Sequence, residues 1–388
     1  MSSFEPRVAF EHLDKLAYEI GPRLAGTRGA VQAQKYIQKC FKSYGLKTEI
    51  QEFRFANVRT RLRVSGVMLI GVFVSTLFLS ALCALAASVA AVGLFFLLPH
   101  LLAVGKTTNV IGSIKVKEPK KRLLVTAHYD SAYCTRSRRI TMFLRFATLP
   151  VLATFLGVLA LVVALGAFNV WPIVWIVLAF FLLPTCGLMF TVLKKQVSPG
   201  ANDNASGVAV MMEVARAIAN DPPKDLAIDF VAFGAEEQGL VGSKKLSSSF
   251  KPGEVSVINI DTVGTGQFFY VVTGNGIIRK RETSPELNKA LEKAASALRL
   301  EMKSMWTLLA GHDHIPFVRR GIAATTLTAA KPARHGFDEF VEKKFGIKDA
   351  RSRQYQHLHT LEDVPDRVGL GNIGYAGRIV LNFIKDYN

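Results

Sequence analysis

Two long stretches without charged side chains constrain this chain more than any other feature. Neither residues 64–105 nor residues 146–193 contain Asp, Glu, Lys or Arg. A helix that crosses a bilayer needs about 20 apolar residues, so each stretch is long enough for two such helices. A buried helical hairpin of a soluble protein would keep a polar stripe, and these stretches have none. The pattern therefore predicts two transmembrane helical hairpins.

The residues that flank both stretches are basic. They are Arg59, Arg61, Arg63, Lys106, Arg136, Arg138, Arg139, Arg145, Lys194 and Lys195. Because Lys and Arg concentrate on the cytoplasmic side of membrane helices, all four flanks are predicted to be cytoplasmic. They account for much of the net charge of +18, so the basic excess is explained without nucleic acid.

The composition agrees with a membrane protein that faces a reducing compartment. Half of the residues are apolar, 20% are charged and the mean hydropathy is +0.26, which excludes disordered, collagen-like and disulfide-scaffold proteins. The four cysteines are widely spaced and form no CxxC pair, as expected of reduced residues. Residues 1–17 lack the apolar core of a signal peptide.

Polar side chains follow the ends of three predicted strands. The strands cover residues 121–127, 226–233 and 255–260, and the polar residues are His128 and Asp130, Glu236 and Glu237, and Asp261. Ligands of open α/β sheets bind at the carboxyl ends of strands. Two adjacent carboxylates repel each other and need a cation or proton, so one can ligate a metal while its neighbour accepts a proton. Taken alone, each of these signals is more often structural.

A polar loop and two histidines complete the candidate set. Residues 198–207 are rich in Gly, Asn, Asp and Ser and precede a predicted helix over Val208–Ala219, as an ordinary turn and N-cap would. In a metal site the same loop would present Asp203 with both oxygens free to bridge two cations. His357 and His359 lie near the C-terminus and offer imidazole ligands of the kind zinc accepts.

Five motifs occur in a characteristic order. They are His128-Tyr129-Asp130-Ser131, residues 200–207 (GANDNASG), residues 236–243 (EEQGLVGS), Asn259-Ile260-Asp261 and residues 359–363 (HTLED). Together they resemble the motifs of the co-catalytic di-zinc aminopeptidase family, which also contains glutaminyl cyclase and glutamate carboxypeptidase, and residues 20–27 resemble that family's opening. The resemblance implies an α/β fold with a mixed twisted sheet flanked by helices, like a zinc exopeptidase, here with two inserted transmembrane hairpins.

The resemblance also implies two Zn²⁺ ions and a role for each matching residue. Asp203 would bridge the ions, His128 and Asp261 would bind one, Glu237 and His359 would bind the other, Glu236 would be the general base, and Asp130 would orient His128. A water between the ions would then lose its proton to the general base. Other divalent ions such as cobalt or manganese could replace zinc in a site so rich in carboxylates.

The expectation is therefore a membrane-anchored zinc aminopeptidase that removes N-terminal residues from peptides. Its peptidase domain would comprise residues 1–63, 106–145 and 194–388, with the transmembrane hairpins 64–105 and 146–193 inserted between them. If the ligands converge, each apolar stretch crosses the bilayer an even number of times, and the basic flanks then place the catalytic domain in the cytoplasm. The expected partners are peptides with a free N-terminus and the lipid bilayer, with no nucleic acid.

Other interpretations stay open. A glutaminyl cyclase-like aminoacyltransferase would share much of the pattern but use one zinc, and a catalytically inactive relative could be a membrane receptor or scaffold. A transporter would need ionisable residues inside the spans, where His100 alone occurs, near one end. His357 could replace His359 as a ligand, and the roles of His312-Asp313-His314 and of residues 331–356 are open.

Overall fold

In the computed structural model, the described residues are 3–78, 100–114, 116–136, 171–308, 311–332, 336–351 and 357–387, with isolated residues between 86 and 97, at 140 and between 157 and 160. The chain divides into two units. One consists of Met1–Phe53, Lys106–Tyr133 and Gln196–Asn388, and the other of Arg54–Gly105 and Cys134–Lys195. The candidate metal ligands lie in the first unit, as do Asp130 and Glu236.

Helices and strands are interspersed along the described chain. In order they are α1 (Pro6–Asp14), α2 (Arg28–Ser43), β1 (Lys47–Phe55), α3 (Val58–Phe78), β2 (Gly105–Ile114), β3 (Lys121–His128), β4 (Tyr133–Thr135), α4 (Trp171–Thr191), β5 (Leu193–Val197), α5 (Ser206–Ala219), β6 (Leu226–Phe233), α6 (Val241–Ser247), β7 (Ser256–Ile260), β8 (Phe268–Asn275), β9 (Arg281–Glu282), α7 (Pro285–Ser296), β10 (Met302–Thr307), α8 (His314–Val318), β11 (Ala323–Ala330), α9 (Gly336–Phe345), β12 (Ala350–Arg351) and α10 (Leu370–Tyr387). Short π- and 3₁₀-helical turns lie at Lys15–Ile20, Ala201–Ala205 and Pro365–Arg367.

Ten of the described strands form one mixed sheet. Its order is β1-β2-β6-β3-β7-β11-β8-β10-β12, with β9 paired to β8, and β4 pairs with β5 separately. The central strands β6, β3, β7 and β11 are parallel, whereas β2 and β8 join them antiparallel. His128 is aligned with Phe233, and Thr126 with Asn259. The carboxyl ends of β3, β6 and β7 therefore meet at one edge of the sheet.

The central strands are apolar because both faces of the sheet are covered. In β3, Leu123, Val125 and Ala127 belong to a core that also contains residues of α1, α2, α5 and α10. Leu124 points the other way, into a core shared with α6 and α8, because successive side chains alternate across a strand. The predicted architecture, a mixed sheet flanked by helices, is confirmed, as are the three strands that precede polar motifs and the helix that follows the polar loop.

The described residues include neither of the two predicted transmembrane hairpins. Within the described ranges, the helices include none that is both long and apolar enough to cross a bilayer. Three arginines occupy the first two turns of α3. Helix α4 contains Pro184, and its Cys186 and Met189 are buried. The prediction of an integral, multi-pass membrane protein with four spanning helices is wrong, and the bilayer partner and cytoplasmic placement that depended on it lose their basis.

The middle of both apolar stretches, comprising most of residues 79–99 and 137–170, lies outside the described residues. Part of the basic flank before the second stretch, including Arg138, Arg139 and Arg145, lies there as well. The domain boundaries that were drawn around the predicted hairpins stay a prediction.

Candidate metal centre

Three neighbouring parallel strands deliver four of the polar side chains to one edge of the sheet. His128 ends β3, Asp261 follows β7 directly, and Glu236 and Glu237 follow β6 after a two-residue turn. Glycine is required at position 234 in that turn, since a Cβ there would lie 2.5 Å from a backbone carbonyl oxygen. His128, Asp261 and Glu237 are buried, and Glu236 is partly exposed.

Asp203 reaches the same edge from the loop before α5. The Asp363 carboxylate accepts the backbone N–H groups of Asn202 (2.7 Å) and of Asp203 itself (3.2 Å). The Asn204 side chain bonds the backbone on both sides of Asp261, donating to the preceding carbonyl oxygen (2.9 Å) and accepting from the following N–H (3.1 Å). These bonds hold the loop against the end of β7.

The side chains form two clusters that share Asp203. In the first, Nε2 of His128 lies 3.2 Å from Oδ1 of Asp203 and 3.8 Å from Oδ1 of Asp261. In the second, Nε2 of His359 lies 3.1 Å from Oδ2 of Asp203 and 2.8 Å from Oε1 of Glu237. Within each cluster the potential ligand atoms are all within 4.8 Å of one another. The two oxygens of one carboxylate thus face two different imidazoles.

The structure brings His359, and not His357, into the second cluster. Nδ1 of His357 lies instead 2.6 Å from Oε2 of Glu362, whose side chain is mostly exposed. The backbone of His359 has a φ of +57°, a value uncommon for residues with a Cβ, and its ring points at Asp203 and Glu237. The sequence left open whether His357 or His359 is a ligand, and His359 has the geometry of one.

The Asp130 carboxylate holds the turn that carries the two glutamates. Its Oδ1 accepts the N–H of Glu236 (3.0 Å) and its Oδ2 accepts the N–H of Glu237 (3.2 Å). Nδ1 of His128 lies closer to the backbone carbonyl oxygen of Asp130 (3.1 Å) than to its carboxylate (3.7 Å). Asp130 therefore contacts His128 as predicted, but mainly through its backbone, while its side chain contacts the adjacent strand end.

The mutual attraction of the histidines and carboxylates shifts their pKa values. Burial lowers the pKa of both histidines, but the surrounding carboxylates outweigh it, holding the pKa of His128 well above its ordinary value and raising that of His359 to about 9. Burial acts in the opposite sense on the aspartates, yet the neighbouring histidines hold the pKa of Asp203 well below its usual range and lower that of Asp261 to about 2. Positive charge at this edge of the sheet is therefore strongly favoured.

The pKa of Glu236 shifts in the opposite direction to those of Asp203 and Asp261. Burial, followed by repulsion from Glu237, Asp313 and Asp261, raises its pKa well above the ordinary value in spite of the opposing effect of His128. Gly311 lies beside this side chain, and a Cβ at that position would be in ordinary van der Waals contact with Oε1 of Glu236, at 3.6 Å. The group is therefore a carboxyl that can hold a proton next to the clusters.

The donor set fits a pair of divalent metal ions. Imidazole nitrogen and carboxylate oxygen are the ligands that zinc accepts in catalytic sites. Three buried carboxylates that converge in this way need compensating positive charge, which two divalent ions would supply in place of the protons on the imidazoles. Each ion would receive one histidine, one terminal carboxylate and one oxygen of Asp203.

Sequence reasoning missed three residues that support these clusters. Nδ1 of His312 lies 2.6 Å from Oδ2 of Asp261, Asp363 bonds the Asp203 loop, and Arg23 donates to five backbone carbonyl oxygens, two of them in that loop. Arg23 and Asp363 lie within the motifs quoted above, and His312 is adjacent to the open Asp313. Their positions in or beside these motifs could have marked them as candidates. Their contacts could not be predicted, because their partners are distant in sequence.

The mixed sheet flanked by helices is of the zinc exopeptidase type, and the paired clusters have the donor set of a metal site. A profile of peptidase family M28 matches residues 189–384, half of the chain. The chain therefore belongs to peptidase family M28.

Related sequences match parts of the chain. Aminopeptidase YwaD of Bacillus subtilis is 36% identical over 144 residues, which cover 35% of this chain and 30% of that protein. A probable zinc metalloprotease of Pyrenophora tritici-repentis is 45% identical over 73 residues, 18% of this chain and 17% of its own length. The matches thus span less than a third of the length of these relatives.

Solved structures match the whole chain in fold. The zinc aminopeptidase BSAP of Bacillus subtilis aligns with a TM-score of 0.61 at 18% identity, covering 100% of this chain and 96% of that one. Bacteroides thetaiotaomicron glutaminyl cyclase aligns with a TM-score of 0.59 at 18% identity, covering 98% of both chains. At this identity the likeness establishes the fold, and an aminopeptidase and a cyclase fit it equally.

Proposed function

We propose that the protein is a two-zinc aminopeptidase that hydrolyses the N-terminal residue from peptides. The observation that carries the proposal is the shared carboxylate of Asp203, whose two oxygens lie 3.2 and 3.1 Å from the imidazoles of two separate clusters. A site for a single ion needs no such sharing. The partial match to aminopeptidase YwaD agrees with this choice.

The residues divide into two ligand sets around that carboxylate. His128 and Asp261 would hold one zinc ion, and Glu237 and His359 the other, with Asp203 contacting both. Two bound zinc ions would supply Lewis-acid polarisation of the scissile carbonyl and a lowered pKa for the attacking water. The free α-amino group of the substrate would bind beside one ligand set, which restricts cleavage to the first peptide bond.

Glu236 is assigned as the general base. It is adjacent to Glu237 but absent from both ligand clusters, and the Asp130 carboxylate fixes its backbone N–H. Its side chain would take a proton from the attacking water and pass it to the leaving amine. A carboxyl whose environment favours the protonated form can hold that proton between the two transfers.

The proposal is tested by hydrolysis of aminoacyl fluorophores. Wild type should be active and should lose activity with a chelator, and Glu236→Gln should retain both metal equivalents but lose turnover by about a hundredfold or more, the size of a general-base effect. Glu254→Gln, which changes an exposed glutamate in the loop before β7, is the matched control and should keep wild-type activity. Unchanged turnover in Glu236→Gln would show that Glu236 is not the general base.

The cyclase alternative has a separate signature. A glutaminyl cyclase-like enzyme would bind one zinc equivalent and convert N-terminal glutamine to its cyclic form without releasing the residue. Metal content and product analysis on the same preparation therefore distinguish the two activities. One equivalent together with cyclisation would replace the aminopeptidase proposal.

A further inference from the structure

A row of buried polar side chains lies one layer below the clusters. Thr126, Asn259 and Thr326 are aligned across β3, β7 and β11. The Thr126 hydroxyl donates to Oδ1 of Asn259 (3.1 Å), and Nδ2 of Asn259 donates to the Thr326 hydroxyl (3.3 Å). All three are fully buried. Thr126 and Asn259 each precede a cluster residue, His128 or Asp261, by two positions, so they lie on the same face of their strands.

Two histidines connect this row to the first cluster. Nδ1 of His314 lies 2.6 Å from the Thr326 hydroxyl oxygen. Its ring stacks on that of His312, with ring centroids 5.9 Å apart and an angle of 21° between the planes. Nδ1 of His312 in turn lies 2.6 Å from Oδ2 of Asp261. The row therefore ends on a carboxylate of the first cluster.

The hydrogen-bonding roles at His312 follow from its partner. An ionised carboxylate can only accept, so Nδ1 of His312 carries the proton and donates to Asp261. The other ring nitrogen, Nε2, is buried and has no hydrogen-bond partner among the described residues. In the neutral ring this nitrogen has a lone pair and no proton. The hydrogen bond to Asp261 is thus the bond that His312 is placed to make.

We propose that His312 is a positioning residue that governs occupancy of the metal site formed by His128, Asp203 and Asp261. By binding Oδ2 of Asp261, it fixes the carboxylate with Oδ1 facing His128. Without that donor the carboxylate can rotate away from the site, whereas the cluster of Asp203, Glu237 and His359 is untouched. This inference depends on the proposed two-zinc function.

The test compares three substitutions of His312 by zinc stoichiometry and affinity. His312→Asn retains a donor, because its Nδ2 is separated from Cα by the same three bonds as the histidine Nδ1. His312→Ala removes the donor, and His312→Gln moves it one bond further. We expect two zinc equivalents in wild type and His312→Asn. In the Ala and Gln variants we expect one tight equivalent and a second weakened by about 10- to 100-fold, the usual effect of losing a partner of a metal ligand.

Competition with a chromophoric chelator measures the two affinities, and thermal unfolding of the metal-free proteins checks the fold. His12→Asn is the matched control, since His12 is a buried histidine that bonds Tyr36 and Tyr44, and it should retain two equivalents. Two equivalents at wild-type affinity in His312→Ala would overturn the inference and leave the proposed function standing. If His312→Ala does not fold, equal second-site affinities in the Asn and Gln variants would overturn it. A single equivalent in wild type would overturn both.

Discussion

At the scale of single residues, the Asp130 carboxylate fixes the backbone that carries Glu236 and Glu237. Both of its oxygens are used by backbone N–H groups of the Glu236–Glu237 turn. The side chain is fully buried, so these hydrogen bonds form where water cannot replace them. The general base and one metal ligand are thus held through the backbone of the turn by a residue of the neighbouring strand.

Replacing Asp130 by Asn tests this arrangement. The amide would offer an NH₂ group where one oxygen now accepts an N–H, so one hydrogen bond is lost and two donors face each other. We expect kcat to fall by about 10- to 100-fold while the protein stays folded. The matched control, Asp225→Asn, changes a partly exposed aspartate paired with Lys120 and should have no effect. A kcat within twofold of wild type would contradict the role given to Asp130.

Sequence predicted the clustered residues better than the residues that hold them. His128, Glu236, Glu237 and Asp261 could be placed because parallel strands bring their carboxyl ends to one edge. Supporting contacts such as that of His312 with Asp261 join residues 51 positions apart, and no local pattern marks such a pair. The assignment of metal ligands and of the general base stays a prediction until metal content and activity are measured.

At the scale of elements, Arg23 joins the N-terminal segment to the residues that follow β3 and to the loop that carries Asp203. Its guanidinium donates to the carbonyl oxygens of Leu16 and Gly21, of Tyr129 after β3, and of Pro199 and Gly200 before α5. Burial, partly offset by nearby carboxylates, lowers its pKa to about 10, so the group is still charged at neutral pH. Nε and Nη2 each face one acceptor and Nη1 faces three, so all three nitrogens of the guanidinium are used.

Substitution of Arg23 should destabilise the fold more than any change of charge on the surface. Arg23→Leu removes a donor from five carbonyl oxygens, of which, within the described part of the chain, only those of Leu16 and Gly200 also accept a backbone N–H, and we expect the free energy of unfolding to fall by about 3 kcal/mol or more. Arg23→Lys keeps the charge and up to three donors and should lose less. Urea unfolding measures both, with Arg28→Leu at an exposed site as the control. Equal stability of Arg23→Leu and wild type would contradict the role of this residue.

Helices α1 and α2 are joined by a buried histidine that should make stability depend on pH. Burial, followed by the charge of Arg216, lowers the pKa of His12 to about 4, against about 6.5 in the unfolded chain. Between these values the unfolded chain takes up a proton that the folded chain does not, so stability falls as pH falls from about 6.5 to 4.

The comparison is between wild type and His12→Asn. From pH 7 to pH 5, the free energy of unfolding of wild type should decrease by about 2 kcal/mol more than that of the variant. Urea unfolding at the two pH values measures this difference. Parallel pH dependence of the two proteins would show that His12 titrates normally in the fold.

At the scale of the whole molecule, sequence predicted the sheet but misjudged the apolar stretches. Central strands of a covered sheet are apolar throughout, and β3, β6 and β7 were found where this rule places them. The same reasoning on residues 64–105 and 146–193 predicted membrane helices, because hydropathy alone does not report where a helix begins and ends. Arg59, Arg61 and Arg63 lie inside the first turns of α3, although the sequence had placed them in the flank before the helix.

The central claim is that five side chains from separate parts of the chain hold two metal ions around Asp203. Anomalous diffraction at the zinc absorption edge, from crystals of the zinc-loaded protein, tests it directly. We predict two peaks about 3.5 Å apart, one against His128 and Asp261 and one against Glu237 and His359, both in contact with Asp203. A single peak, or peaks away from these residues, would contradict the account.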